Sequence, residues 1–238
     1  MMIDDQRFQL KIFLDKYFFE LQHEGGGICE LPVFDLYARD YLRFAEESLN
    51  KNSNYGLISC ISNLKRAMDC QIDTFFYTIN LYNSFQKRNL KFEKKLGLIE
   101  AIGLFGTRSL TKLNQIRNKM EHKYEVPKIQ EIELYFELVE ALVRSMELAT
   151  MALNWNSQLD FSIYSGDTRI GYFNSEYNCG ENEPFVTTQW SIENIEKKCF
   201  NVKIDDYIVF AYFFRIHLLL YQSQAIGSRE YLLSRIEI

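Results

Sequence analysis

Between residues 55 and 81 the apolar side chains Leu57, Cys60, Ile61, Leu64, Met68, Ile72, Phe75, Phe76 and Ile79 recur every three or four positions. At 3.6 residues per turn they form one continuous stripe, whereas a strand would scatter them over both faces. Lys65, Arg66, Asp69 and Asp73 fall off the stripe, so the segment reads as a long amphipathic helix with one face to bury. Such a helix needs partners of similar character. Residues 34–49 and 91–103 each read as a helix, and 129–153 as a long one with Ile132, Phe136, Val139, Leu142 and Met146 as its seam. Between the last two, Ser109 or Thr111 is expected to cap a helix that turns Leu110, Leu113, Ile116 and Met120 inward and stops before Pro127. A further helix is expected over 5–22, with Phe8, Ile12, Tyr17, Phe18 and Leu21 at helical spacing, closed by Gly25-Gly26-Gly27. That triplet lacks the following Lys-Ser/Thr of a phosphate loop and reads as a turn.

The pattern changes near Asn154-Trp155-Asn156. Residues 159–165, 169–173, 184–190 and 199–204 cluster β-forming residues between Gly, Asn and Asp turns. The run 207–221 is ambiguous, β-branched and aromatic at its start and leucine-rich at its end. The expected fold is α+β: a helical domain over 1–153, then a smaller strand-rich domain over 158–238. Only three prolines and 11 glycines accompany 47% hydrophobic residues, which describes a packed chain and not a disordered one.

Five cysteines (Cys29, Cys60, Cys70, Cys179, Cys199) form no CxxC pair, and with His23, His122 and His217 they give no zinc-ligand spacing. Reduced thiols in a cytoplasmic protein without metal or cofactor are expected. Asp4 and Asp5 argue against a signal peptide. The apolar run at 207–214 is interrupted by Arg215 and His217 and is too short to span a bilayer, so no membrane partner is expected.

The net charge of -5 argues against nonspecific coating of nucleic acid, yet the charge is unevenly placed. Residues 87–123 hold ten lysines and arginines against Glu93, Glu100 and Glu121, a balance of +7 that leaves -12 for the rest. A polyanion could find this segment; a solvated helical face is the plainer reading.

Within it lies Arg117-Asn118-Lys119-Met120-Glu121-His122. Imidazole moves protons and guanidinium holds phosphate, the pair needed to cleave RNA without a metal. Five residues, however, amount to about 140° of rotation on a helix, so Arg117 and His122 do not share a face. Asn118 with His122, and Arg117 with Glu121, do share one. Ordinary helix electrostatics explains the same residues: Arg117 pairs with Glu121, and His122 suits the negative end of the helix dipole. Elsewhere, Arg66 with Asp69 or Asp73 reads first as a structural salt bridge and second as support for the same cleft. His217 reads as a core or edge histidine. Tyr164, Tyr172, Phe173, Tyr177, Phe185 and Trp190 read as core aromatics before base-stacking ones.

Arg117, a polar Asn118 and His122 at a helix end resemble the motif of the HEPN domain. The runs 63–73 (NLKRAMDCQID) and 116–127 (IRNKMEHKYEVP) are similar to bacterial HEPN-like proteins, and the resemblance covers about residues 34–153. It implies an antiparallel helical bundle and a homodimer whose two motifs face each other across one RNA cleft. Arg117 of one chain would then approach His122 of the other. It implies a metal-independent endoribonuclease of toxin or abortive-infection type, leaving a 2′,3′-cyclic phosphate, and an antitoxin or regulatory protein as a further partner. In that setting His122 is the general acid or base, Arg117 stabilises charge on the phosphoryl oxygens and Asn118 orients the cleft. Lys112, Lys119 and Lys123 steer the RNA backbone, and Arg66, Asp69 and Glu121 support the site. The alternative is a non-catalytic HEPN-like module that binds nucleic acid, nucleotide or protein.

Overall fold

Ser53 accepts a hydrogen bond from the Gly56 N–H (3.1 Å) and starts the helix on which the rest of the helical part is assembled. The computed structural model describes residues 30–87, 92–126, 128–155, 157–179, 183–193, 195–205 and 207–237. The helix expected over 5–22 and the glycine turn after it lie outside the described residues, as do Arg88 and Lys91.

Helix α1 (Ala38–Leu49) begins four residues later than the apolar pattern suggests. The Tyr37 N–H donates to Asp40 Oδ2 (3.0 Å), which places the helix start here and sets an acid in the first turn. Helix α2 (Asn54–Thr78) buries its expected stripe: Cys60, Ile61, Leu64, Met68, Ile72, Phe75 and Phe76 are fully enclosed. Where α2 starts against the end of α1, a Cβ on Gly56 would lie 2.4 Å from the Ser48 carbonyl oxygen, so only glycine fits the approach. The helix ends at Thr78, not at 81, because Asn80 takes up a left-handed conformation (φ 55°). A short helix that the sequence pattern did not reveal, α3 (Tyr82–Lys87), follows it.

Helices α4 (Phe92–Ala101), α5 (Arg108–Lys123) and α6 (Ile129–Trp155) complete the helical part. Neither Ser109 nor Thr111 caps α5. The helix starts after Thr107, whose hydroxyl donates to Glu100 Oε2 (2.7 Å), and the Thr111 hydroxyl donates back to the Thr107 carbonyl. On α6, Ile132, Val139, Leu142 and Met146 are fully buried and Phe136 half-buried. Helices α1, α5 and α6 all pack on α2.

The second part is a four-stranded antiparallel sheet in the order β1-β2-β3-β4, formed by β1 (Gln158–Ser165), β2 (Thr168–Asn178), β3 (Phe185–Ile192) and β4 (Ile195–Lys203). The ambiguous run is helix α7 (Tyr207–Gln222). Phe210, Phe214, His217 and Leu218 lie at helical spacing and are buried, and α7 covers the sheet face that carries Phe173, Ser175 and Tyr177. Helix α8 (Arg229–Ile236), which the sequence pattern did not reveal, packs on α7. Phe161, Phe173, Trp190 and Phe200 form a cross-strand aromatic ladder on the α7 face, continued by Phe213 (6.0 Å from Phe200). The chain is therefore mixed α+β, with more helix after residue 158 than expected.

The two parts meet at Tyr177. Its ring stacks on Phe214 (4.5 Å between centroids), and its hydroxyl donates to the Ile79 carbonyl (2.5 Å) just past the end of α2. Beside it the Asn80 amide donates to the Cys179 carbonyl (3.1 Å). Tyr177, Val186, Phe210 and Phe214 belong to the same buried cluster as Phe75 and Ile79. His217, 1% exposed, lies with Nδ1 3.0 Å from the Ser175 hydroxyl, and burial lowers its pKa to about 4. Among the described residues no helix is long and apolar enough to cross a membrane.

Candidate nucleic-acid interface

Helix α5 turns Leu110, Leu113 and Met120 into the core, with Ile116 half-buried beside them. This orientation decides where each motif residue goes. Arg117 stands at the margin of the buried stripe, its side chain 35% exposed, while Asn118, Glu121 and His122 face solvent. Arg117 Nη2 lies 2.7 Å from Glu121 Oε1, and Nη1 donates to Asn118 Oδ1 (3.3 Å). The expected i,i+4 pair is thus present, and it occupies the guanidinium. His122 lies in the last turn, followed by Tyr124 in a left-handed conformation (φ 58°) that ends the helix. Tyr124 is 88% exposed.

Lys112, Lys119 and Lys123 are exposed. At about 100° per residue they fall within about 40° of one another, one stripe along α5, with Arg117 on the opposite flank of the buried face. Lys119 also lines a small cleft between α5 and α6, with Ile116, Val126 and Glu131. One chain therefore presents a lysine stripe and an exposed His122 on one side and Arg117 on the other.

The supporting residues on α2 are arranged differently from the expectation. Arg66 pairs with neither Asp69 nor Asp73. Lys65 reaches Asp69 one turn on, and Lys95 of α4 reaches Asp73, so both acids are neutralised by lysines. Each lysine also lies over an aromatic ring, Lys65 3.8 Å from the centre of Phe92 and Lys95 5.6 Å from that of Tyr82. Burial raises the pKa of the Asp69 carboxyl above its usual range, with Lys65 pulling it back. Arg66, exposed, lines a cleft of ≈ 640 Å³ with Asp69, Asp73, Phe34 and Tyr41. No described residue of α5 lines that cleft, so the structure does not bring Arg66 and Asp69 into one pocket with Arg117 and His122.

Among the described residues no cluster of His, Cys, Asp and Glu is arranged to hold a metal ion. Cys60, Cys70 and Cys199 are free thiols, and burial pushes Cys60 up to about 12. The sequence pattern did not single out a cavity bounded by α1, α2 and α6, whose floor includes Gln71 and Thr150. Neither residue type signals chemistry, and the two lie far apart in the chain. In comparisons with known proteins, the chain matches no family model, no curated protein and no solved structure.

Proposed function

We propose that the protein is a HEPN-type endoribonuclease that works as a homodimer, with Arg117, Asn118 and His122 as its catalytic residues. The observation that carries the reading is the presentation of the motif. His122 and Asn118 are exposed on α5, which also carries a stripe of three exposed lysines, and Tyr124 and Val126 just after the helix are exposed as well. An exposed apolar and basic surface of this kind suits a two-fold contact around a polyanion. The angular separation of Arg117 and His122 within one chain is resolved when each site takes one residue from each copy.

In the proposed reaction the ribose 2′-oxygen attacks the adjacent phosphorus and gives its proton to a base. The new P–O2′ bond forms as the P–O5′ bond breaks, and the 5′-oxygen leaves with a proton from an acid. His122 serves in one of these proton transfers, and Arg117 holds the phosphoryl oxygens as charge builds on them. The ion pair with Glu121 does not stand in the way. An exposed i,i+4 pair contributes only about 0.3–0.5 kcal/mol, so a phosphate can displace Glu121 at small cost.

The same Arg117–Glu121 pair favours a second reading, a non-catalytic interaction module in which the motif is a helix-end ion pair. One experiment separates the two. Wild type, Arg117→Ala and His122→Ala are incubated with labelled RNA in excess EDTA, and the product ends are mapped. Cleavage by wild type to cyclic phosphate ends, reduced about 10²–10⁴-fold by His122→Ala, supports the nuclease. No cleavage, or equal cleavage by all three proteins, refutes it and leaves the interaction module.

A further inference from the structure

Helix α6 buries Ile132, Val139, Leu142 and Met146, so its opposite face should be polar. It is not. Leu134, Glu137, Ala141, Arg144, Leu148 and Met151 are exposed, and they recur alternately three and four positions apart. At about 100° per residue they fall within an arc of about 100°, one stripe along the helix. Leu134 is 65% exposed, Leu148 56% and Met151 42%, with Ala141 open between the leucines. Apolar residues at this spacing on an open face are the seam of a helix pair, and no described helix covers them.

The stripe is complementary to itself. Leu134 and Leu148 lie seven residues on either side of Ala141, about two turns or roughly 10 Å each way. When a second copy of α6 runs antiparallel with Ala141 on a two-fold axis, Leu134 of each copy meets Leu148 of the other. The small Ala141 side chains let the two helices approach at the crossing. In the same register Glu137 comes opposite Arg144 of the other copy, and the charges suit it. Arg144, its side chain 67% exposed, is held loosely within its own chain, with Nη2 3.6 Å from Glu140 Oε1, an oxygen that also lies 3.8 Å from Arg39. Glu137 has no ion pair among the described residues. A partner of unrelated sequence requires no such symmetry in the stripe, whereas a two-fold contact does.

We infer that the exposed stripe of α6 is a docking surface for a second copy of this chain, packed antiparallel about a two-fold axis at Ala141, with Leu134 against Leu148 and Glu137 against Arg144. This contact goes beyond the nuclease reading and does not depend on it. Glu131, which shares a cleft with Lys119 near the motif, would stand roughly 30 Å from its counterpart along the paired helices. The α6 contact therefore keeps the two motifs apart, and a chain that also makes the motif contact assembles beyond a dimer.

The test measures the mass of the full chain by sedimentation equilibrium, for wild type, Leu148→Glu, Arg144→Glu, and Arg144→Glu combined with Glu137→Arg. All three positions are exposed, so circular dichroism should show every variant folded as wild type is. Each single variant should weaken association at least about tenfold, since a two-fold contact meets every change twice, and should lower the mass towards half. Combining Glu137→Arg with Arg144→Glu should restore the mass, because the exchanged charges face each other again across the axis. Wild type that stays monomeric at about 100 µM overturns the inference. So does a mass that either single variant leaves unchanged, or a charge exchange that restores nothing. The nuclease reading fails separately, in the RNA cleavage assay, and a wild-type dimer that Leu148→Glu turns into monomer keeps the α6 contact while removing the motif one.

Discussion

Acid should destabilise this protein through His217, and the size of the effect follows from its surroundings. The ring is enclosed between α7 and the sheet, with the Ser175 hydroxyl 3.0 Å from its Nδ1. Burial lowers its pKa from the ordinary 6.5 to about 4. Because the folded value is depressed, the neutral ring belongs to the native state and the charged ring to the unfolded one. The associated stability is intact above pH 6.5 and is lost as pH falls from there towards 4. The interval of 2.5 units corresponds to on the order of 3 kcal/mol at its limit, with about 2 kcal/mol already lost at pH 5. Asp69, whose pKa is raised, acts with the opposite sign, so the raw acid dependence of wild type mixes the two. Urea unfolding of wild type and His217→Gln at a series of pH values isolates the histidine. The stability difference between them should shift against wild type as the solution is acidified below pH 6.5. A difference that does not change with pH, or a folded-state titration of His217 near 6.5 by NMR, would falsify the argument.

Three further outcomes concern single positions. Tyr177→Phe leaves the Ile79 carbonyl without its donor and should cost about 1–2 kcal/mol in urea unfolding; an unchanged midpoint would mean that water replaces the hydroxyl at no cost. Tyr124→Gly relieves a left-handed residue whose side chain packs on little, and should stabilise the protein by roughly 1 kcal/mol; destabilisation would show that the ring makes contacts of its own. Gly171→Ala should destabilise by about 1–3 kcal/mol, since its Cβ would lie 2.2 Å from the Ser191 carbonyl oxygen where the β3–β4 register shifts; circular dichroism melting checks this, and a neutral result would show that β3 yields.

Long helices with a continuous apolar stripe were legible in the sequence. For α2 periodicity alone located nearly every core residue, since burial on one face is what periodicity measures; on α6 it found Ile132, Val139, Leu142 and Met146 but not Tyr135, Val143, Ala149, Ala152 and Leu153, which widen the buried face. Elements held by anything else were harder to read. The second half of β2, Asn174-Ser175-Glu176-Tyr177-Asn178, resembles a turn in composition. It is a strand because Ser175 and Tyr177 meet α7 while the residues between them face the other way. The start of β4, with Glu196, Lys197 and Lys198, carries the charge typical of an edge strand and so shows no β signal. Helix α8 has no seam to detect, because Tyr231, Leu233 and Ile236 remain exposed. In the candidate site, the Arg117–Glu121 pair could be read from spacing. The pairing of Asp69 and Asp73 could not, because Lys95 arrives from another helix. The Gln71 and Thr150 cavity depends on three helices meeting, which no local pattern encodes.

The Tyr177 hydroxyl has a consequence for how the molecule comes apart. It supplies a donor to the carbonyl end of α2 from a strand almost a hundred residues away in the chain, while its ring is sandwiched into the α7 face. Peeling the sheet away would strip a hydrogen bond from the central helix and bare Phe75 and Ile79 to water in the same event. Loosening the end of α2 would conversely release the sheet from its anchor. Protection against hydrogen exchange at the end of α2 and along β2 should therefore rise and fall together, although the sequence between them changes character completely.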